Sequence, residues 1–322
     1  MDRREFLEAM VTAVAIKAVG GPRAGFGSEF KEQQKPMTPA LPRRVLGKTG
    51  VKVSVLVLGG VAAMKGTPTT EFHPAELANA ALDAGINYFD TAPAYNDGQS
   101  ECNFGEVLAT RRKEVFLATK TGNRSSEGAM REVEASLNRL RTDHLDLLQI
   151  HGVKAQEDFA KWDKPDGVLA ALRKLRDEKV TRFIGVTGHE SAEPMCRAIE
   201  LFDFDTVLTT FNPTKMRLPY QRLVLPLAKK KKMGVLAMKV MGGGLGSLAA
   251  GNPIRNDGVW YHDEAPRQAE PGKLIRYVLG LPISAAVVGM GSLEQLRINA
   301  VAARDKQPLS EDEREVLEKH MS

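Results

Sequence analysis

The chain has 322 residues, 43% of them hydrophobic and 26% charged, and a formal net charge of +5. This composition argues against a disordered or fibrous chain, and the length suits one barrel-sized domain or two smaller ones. Nucleic-acid binding is disfavoured as well, because the one dense basic run, Lys229 to Lys232, closes a helical stretch (Tyr220 to Met233) and has no interleaved aromatic residues to stack bases. Cys102 and Cys196 are too few for a disulfide framework or a metal cluster and read as small buried residues.

In chain order, residues 1–42 read as an export signal and linker. Arg3-Arg4-Glu5-Phe6-Leu7 resembles the twin-arginine motif, in which paired arginines precede Phe-Leu and a short apolar segment. The apolar run from Ala9 to Ile16 is broken by Lys17, far short of the roughly 20 residues that cross a bilayer, so no stable membrane span is expected. A stretch rich in Gly and Pro follows to about Pro42. The expectation is hand-over to the twin-arginine export machinery and a periplasmic location; a frayed amphipathic N-terminal helix in a cytoplasmic protein is the plainer alternative.

From Arg43 the pattern is regular. Arg44–Val53 reads as a hairpin with Thr49-Gly50 near its turn. Eight β-rich runs follow, each with a helical pattern behind it. Val53–Leu58 leads to Pro74–Asp83, Ile86–Asp90 to Glu101–Arg111, Val115–Lys120 to Glu127–Arg141, and Leu145–His151 to Asp166–Lys179. Phe183–Thr187 leads to Glu193–Phe202, Thr206–Phe211 to Tyr220–Lys232, Val235–Met241 to Gly272–Leu281, and Ala285–Gly289 to Ser292–Ala303. Continuous apolar strands indicate a parallel sheet buried on both faces. Eight units favour a closed (β/α)8 TIM barrel, with an N-terminal hairpin and a C-terminal extra helix, over a doubly wound sheet. No G-x-G-x-x-G follows the first strand; the glycine run Gly242-Gly243-Gly244 comes after the seventh.

Active sites of such barrels lie at the C-terminal ends of the strands. Strand two ends in Asp90, strand three in Lys120 and strand four in His151, and Tyr95 follows strand two. Taken singly, an Asp there caps a loop, a Lys reaches water and a His is a satisfied core residue. Together they form a proton-delivery set for carbonyl reduction. The Lys120 ammonium would ease loss of the Tyr95 proton, Asp90 would hold Lys120, and His151 would orient the carbonyl oxygen and share in proton transfer.

Phe89-Asp90-Thr91-Ala92-Pro93-Ala94-Tyr95, with Ser100-Glu101 and Gly105 behind it, resembles the Asp-Thr-Ala-x-x-Tyr-x-x-Glu-x-x-x-Gly signature of the aldo-keto reductases. The resemblance runs from Arg43 to about Arg304 and includes Leu145-Asp146-Leu147, Ile184-Gly185-Val186 and the closing Gly289 to Asn299. It implies NAD(P)H-dependent reduction of a small carbonyl compound, with the family's Asp, Tyr, Lys and His tetrad at Asp90, Tyr95, Lys120 and His151. A Glu in place of the His accompanies carbon–carbon double-bond reduction, so His151 implies aldehydes or ketones.

The expected cofactor positions depart from the family pattern. Thr187-Gly188 stands where Ser-Asn commonly holds the carboxamide, Leu208 where Gln is frequent, and Met238 where an aromatic ring usually stacks. Met238-Lys239 and the glycines that follow resemble a bacterial branch, some of whose members carry an added ferredoxin-like domain. The chain ends soon after Asn299 and lacks the cysteines for a cluster, so none is expected. Gly242, Gly243 and Gly244 would admit the pyrophosphate. Gly289, Gly291, Ser292, Gln295 and Asn299 would face the adenosine half at a helix N-terminus. The resemblance implies NADP, with NAD the alternative because Arg297 is the nearest basic side chain. Two loops, Gly152–Pro165 and an insertion Ser247–Pro271 holding Trp260-Tyr261-His262, are expected to frame substrate or cofactor. A non-catalytic nicotinamide-binding sensor on the same barrel is the competing function, and a lyase or isomerase with Lys120 as a Schiff-base amine is the third.

Overall fold

The computed structural model describes residues 40–70, 72–241, 270–305 and 307–320. The twin-arginine segment, the Gly242–Gly244 run and nearly all of the Ser247–Pro271 insertion lie outside these. Contacts divide the chain into two units, Met1–Ala40 and Leu41–Ser322, and the second is the one described below.

It begins with the antiparallel hairpin β1 (Arg43–Val45) and β2 (Lys52–Ser54), joined through a short 3-10 turn, Gly47–Thr49. Gly47 has φ 52°, and a Cβ there would come within 2.1 Å of the Gly234 amide nitrogen, so only glycine fits where the turn meets the barrel. Val53 belongs to this hairpin. The first barrel strand, β3, covers only Leu56–Gly59, because the chain turns at Val55 between two strands that share one apolar run.

Seven further strands complete the barrel: β4 (Tyr88–Asp90), β5 (Phe116–Thr121), β6 (Leu145–Ile150), β7 (Thr181–Gly188), β8 (Thr206–Thr210), β9 (Gly234–Met238) and β10 (Ala285–Val288). All pair in parallel, and β10 closes on β3. The helices between them are α1 (Gly60–Ala63), α2 (Pro74–Asp83), α3 (Gln99–Arg111), α4 (Ser126–Leu140), α5 (Phe159–Trp162), α6 (Val168–Asp177) and α7 (Ala192–Leu201). After β8, a π-helical turn, Tyr220–Val224, runs into α8 (Leu225–Lys230). Next come α9 (Pro271–Leu279), α10 (Leu293–Arg304) and the extra C-terminal helix α11 (Glu311–His320). Pro271 opens α9 rather than ending the insertion, since proline suits a first helical position whose N–H has no partner. Lys231, in the basic run, docks its ammonium on the carbonyls of Ile199 and Glu200 at the end of α7.

Leu46 and Val53 of the hairpin pack beneath Val57, Tyr88, Leu147, Leu208 and Leu236, so the hairpin floors one end of the barrel core. The opposite end, toward which the strands run, is left to polar residues.

Candidate active site

β4 and β5 place Asp90 and Lys120 beside each other at that end. Both side chains are buried, at 3% and 1% exposure. The Lys120 ammonium donates to Asp90 Oδ1 (2.6 Å), the Thr91 carbonyl (2.6 Å) and the Tyr95 hydroxyl (3.1 Å), and it lies 4.7 Å from the centre of the Tyr95 ring. His151 follows β6 and meets the Tyr95 ring edge-on, centroids 5.8 Å apart. All four residues expected from the sequence thus come together at one mouth.

Electrostatics refines the expected roles. Burial works to lower the Lys120 pKa, but the charge of Asp90 and the Tyr95 hydroxyl hold it above its ordinary value. The group is an ammonium, not the free amine that Schiff-base chemistry needs. Tyr95 is pushed upward by burial; Lys120 draws it down as expected, Asp90 pushes it up again, and the net shift is upward. The phenol therefore keeps its proton at neutral pH, while the Lys120 ammonium works against the burial that raises it. Burial, with Lys120, His189 and Arg124 nearby, lowers His151 to about 3. A neutral imidazole can donate a hydrogen bond but is not a store of acidic protons.

Several residues that sequence reasoning did not single out support the set. Gln149 on β6 is fully buried and donates to Asp90 Oδ2 (3.1 Å), so both carboxylate oxygens are held. Glu101, completely buried, accepts from Thr119 Oγ1 (2.6 Å) next to Lys120 and from Arg139 (2.7 Å). Gly105, one turn further along α3, admits the Arg139 carbonyl to within 2.2 Å of where a Cβ would lie. Arg124 donates to the carbonyls of His151 (3.0 Å) and Gly152 (3.3 Å) and to both oxygens of Glu157, which also accepts from Trp162 Nε1. The Gly152–Pro165 loop is thereby pinned through buried Phe159 and Trp162. A polar residue in an apolar strand, such as Gln149 in Leu145–Ile150, was the available signal. Its partner lies 59 residues away and could not be read from the pattern.

The profile of the Aldo/keto reductase family matches residues 55–265. The chain belongs to that family. It is 28% identical to the oxidoreductase YqkF of Bacillus subtilis over 310 residues, 86% of this chain and 96% of that protein. It is also 28% identical to the L-galactose dehydrogenase of Arabidopsis thaliana over 315 residues, 85% and 92% of the two chains. Among solved structures, the holo form of the aldo-keto reductase AKR11C1 from Bacillus halodurans superposes with a TM-score of 0.68 at 25% identity, covering 87% of this chain and 96% of that one. The protein is an enzyme of the aldo/keto reductase type, an oxidoreductase that uses a nicotinamide cofactor to reduce a carbonyl.

In this reductase the expected cofactor residues that are described lie along β7 to β10. The Thr187 hydroxyl accepts from the Gly152 amide (3.1 Å), which ties β7 to the loop after β6. At Gly188, where the family has an amide side chain, a Cβ would lie 2.4 Å from Met195 Sδ and would require that flexible side chain to shift, and the Gly188 carbonyl accepts from Thr209 Oγ1 (2.6 Å). Any contact it makes with cofactor is through backbone. Leu208 joins the barrel core, while Met238 sits half-buried above it. Thr210, on the same inward face as Leu208, has a buried hydroxyl without a partner among the described residues and was not anticipated. Ser292 caps α10 by accepting from the Gln295 amide (3.2 Å), and Gln295 accepts from the Gly291 amide (2.6 Å), so both shape the loop after β10. Gly289 packs against Ala62. Asn299 is buried, and its Nδ2 has no partner among the described residues. Arg297 is spent on Glu294, at 2.7 and 2.9 Å, on the exposed face of α10.

Proposed function

We propose that Tyr95 is the proton donor of an NAD(P)H-dependent aldehyde or ketone reductase. The observation that carries this is the Lys120 ammonium, which joins Asp90, Thr91 and Tyr95 in one buried network. Lys120 fixes the phenol oxygen and Asp90 keeps Lys120 charged. Gln149 keeps Asp90 oriented, and neutral His151 donates to the carbonyl oxygen from beside the Tyr95 ring. As charge develops on that oxygen, the Tyr95 proton moves to it and the phenolate left behind is stabilised by Lys120.

The β7–β10 side fits a nicotinamide dinucleotide. It presents buried polar atoms without partners among the described residues, Asn299 Nδ2 and Thr210 Oγ1 among them, and the N-terminus of α10. When bound, the cofactor supplies the hydride. Thr187, Thr210 and Met238 would lie under its ring, and Lys239 toward its phosphates. Gly289, Ser292, Gln295 and Asn299 would lie toward its adenosine. NADP is favoured by resemblance, but a basic side chain already paired with Glu294 adds little for a 2′-phosphate, so discrimination against NAD is weak. The test is Tyr95→Phe in the full chain: NADPH binding by fluorescence is retained while turnover of an aldehyde panel falls by about 10²–10⁴-fold. Equal turnover in the variant would remove Tyr95 from the role.

For localisation, we propose export through the twin-arginine route, supported by Arg3-Arg4 before Phe6-Leu7. Cell fractionation of the wild type and of Arg3→Lys with Arg4→Lys tests it. Unchanged cytoplasmic retention of both would contradict the proposal.

A further inference from the structure

A second polar cluster stands on the wall of the mouth formed by β7, β8 and β9, and the proton-transfer set does not use it. His189 follows β7, Arg217 ends a 3-10 turn after β8, and Lys239 follows β9. Three neighbouring strands thus deliver them to one place. Arg217 is 6% exposed and donates from Nη1 to the His189 carbonyl (2.8 Å). Its other guanidinium nitrogens have no carboxylate or carbonyl acceptor among the described residues. The Lys239 backbone is held in the left-handed region, φ 54°, with its carbonyl accepting from Asn212 Nδ2 (2.8 Å). Its ammonium has no partner among the described residues. His189 Nδ1 is buried without a partner among the described residues, and the buried Tyr220 hydroxyl faces the Arg217 guanidinium.

The chemistry is one-sided, since arginine and lysine only donate hydrogen bonds and tyrosine and neutral histidine can each donate one. A buried and a half-buried cation with no counter-charge among the described residues are costly unless an anion joins them. Their strain is visible in the neighbours: burial and Arg217 lower Lys239 to about 8, and burial, Lys239 and Arg217 lower His189 to about 4. Glu190 and Glu193 are close enough to act on Tyr220, but neither pairs with Arg217 or Lys239.

We propose that Arg217, Lys239, His189 and Tyr220 form an oxyanion-binding site that takes a phosphate or carboxylate group of a ligand bound in the mouth. Arg217 offers a planar pair of donors to two oxygens of such a group, and Lys239 a compact point charge. The site rests on the reading of this mouth as the place where cofactor and carbonyl meet. Its anion is either the cofactor's pyrophosphate or a carboxylate carried by the substrate.

Arg217→Gln and the more exposed Lys239→Met, each checked for native circular dichroism, test it. Calorimetry with inorganic phosphate comes first: the wild type is expected to bind it and both variants to bind at least about tenfold more weakly. Fluorescence titration with NADPH, reduced nicotinamide mononucleotide and reduced nicotinamide riboside then identifies the source. Weakening of the first two by about tenfold, with the riboside unchanged, assigns the anion to the cofactor. Unchanged cofactor affinities, with about a tenfold fall in the kcat/KM ratio of succinic semialdehyde over butanal, assign it to the substrate. If the wild type binds no phosphate and neither variant shifts any affinity or the ratio by more than about twofold, the site does not exist. Retained phosphate binding in a chain that fails to bind NADPH would sink the cofactor reading and leave the anion site standing.

Discussion

The two halves of the barrel mouth are built on opposite principles. On the β4–β6 side the reacting groups are tied to protein: Lys120 has three partners, Asp90 is held on both oxygens, and Arg124 pins the backbone of His151. On the β7–β10 side, among the described residues, buried donors at Thr210 and Asn299 have no partner, and Arg217 and Lys239 have no counter-charge. Groups that must be aligned to within a fraction of an ångström for proton transfer are preorganised by the protein itself. Groups that recognise a ligand keep their hydrogen-bonding capacity for it.

The contrast predicts where substitutions act. Lys120→Met should have the largest effect, because it leaves the Asp90 carboxylate buried and uncompensated. Removing one partner of such a pair costs about 3–5 kcal/mol, read as a lower denaturant midpoint, together with loss of turnover. A variant that is as stable as the wild type would show that the pair is not the anchor of the mouth. Acid should act next. His151 is neutral in the folded protein, with its pKa depressed to about 3, so its contribution is complete above the unfolded value near 6.5 and is lost as pH falls below it. His189, at about 4, acts in the same direction. Between about pH 6.5 and 4, His151 should contribute a loss on the order of 2 kcal/mol after solvent screening, absent in His151→Phe. Equal acid sensitivity in both proteins would contradict it.

Smaller effects sharpen the comparison. Gln149→Leu leaves Asp90 Oδ2 without its donor and should lower kcat by about tenfold with KM and NADPH affinity nearly unchanged, whereas an effect confined to KM would assign Gln149 to binding instead. Least affected is the choice of cofactor: with Arg297 paired to Glu294, the ratio of NADPH to NADH dissociation constants should be less than about tenfold and insensitive to Arg297→Gln. A large ratio abolished by that substitution would show that the arginine leaves Glu294 for the 2′-phosphate.

The same division governs what could be read from sequence. The barrel, the strand ends and the four residues on the β4–β6 side follow from periodicity and a compact signature, because each residue is placed by its own strand. Boundaries slipped where one apolar run served two elements, as at Val53. Short elements such as α5 and the π-helical turn at Tyr220 have too few residues to show a period. The supporting contacts of Gln149 and Glu101 depend on register between strands and helices far apart in the chain. On the β7–β10 side, Arg217 and His189 sit in loops without periodicity, and only the fold brings them to Lys239. Gly188 shows the converse: its lack of a side chain was legible, while the Met195 sulfur occupying that space was not.

The most direct test of the central claim is the pH dependence of single-turnover cofactor oxidation with an aldehyde, compared between the wild type and Tyr95→Phe. With Tyr95 raised above its ordinary value near 10 and His151 at about 3, the wild-type rate should be flat across neutral pH and fall only on an alkaline limb, which the variant lacks on a much lower baseline. A limb near pH 6–7 that survives in Tyr95→Phe would place the proton on His151 and contradict the account.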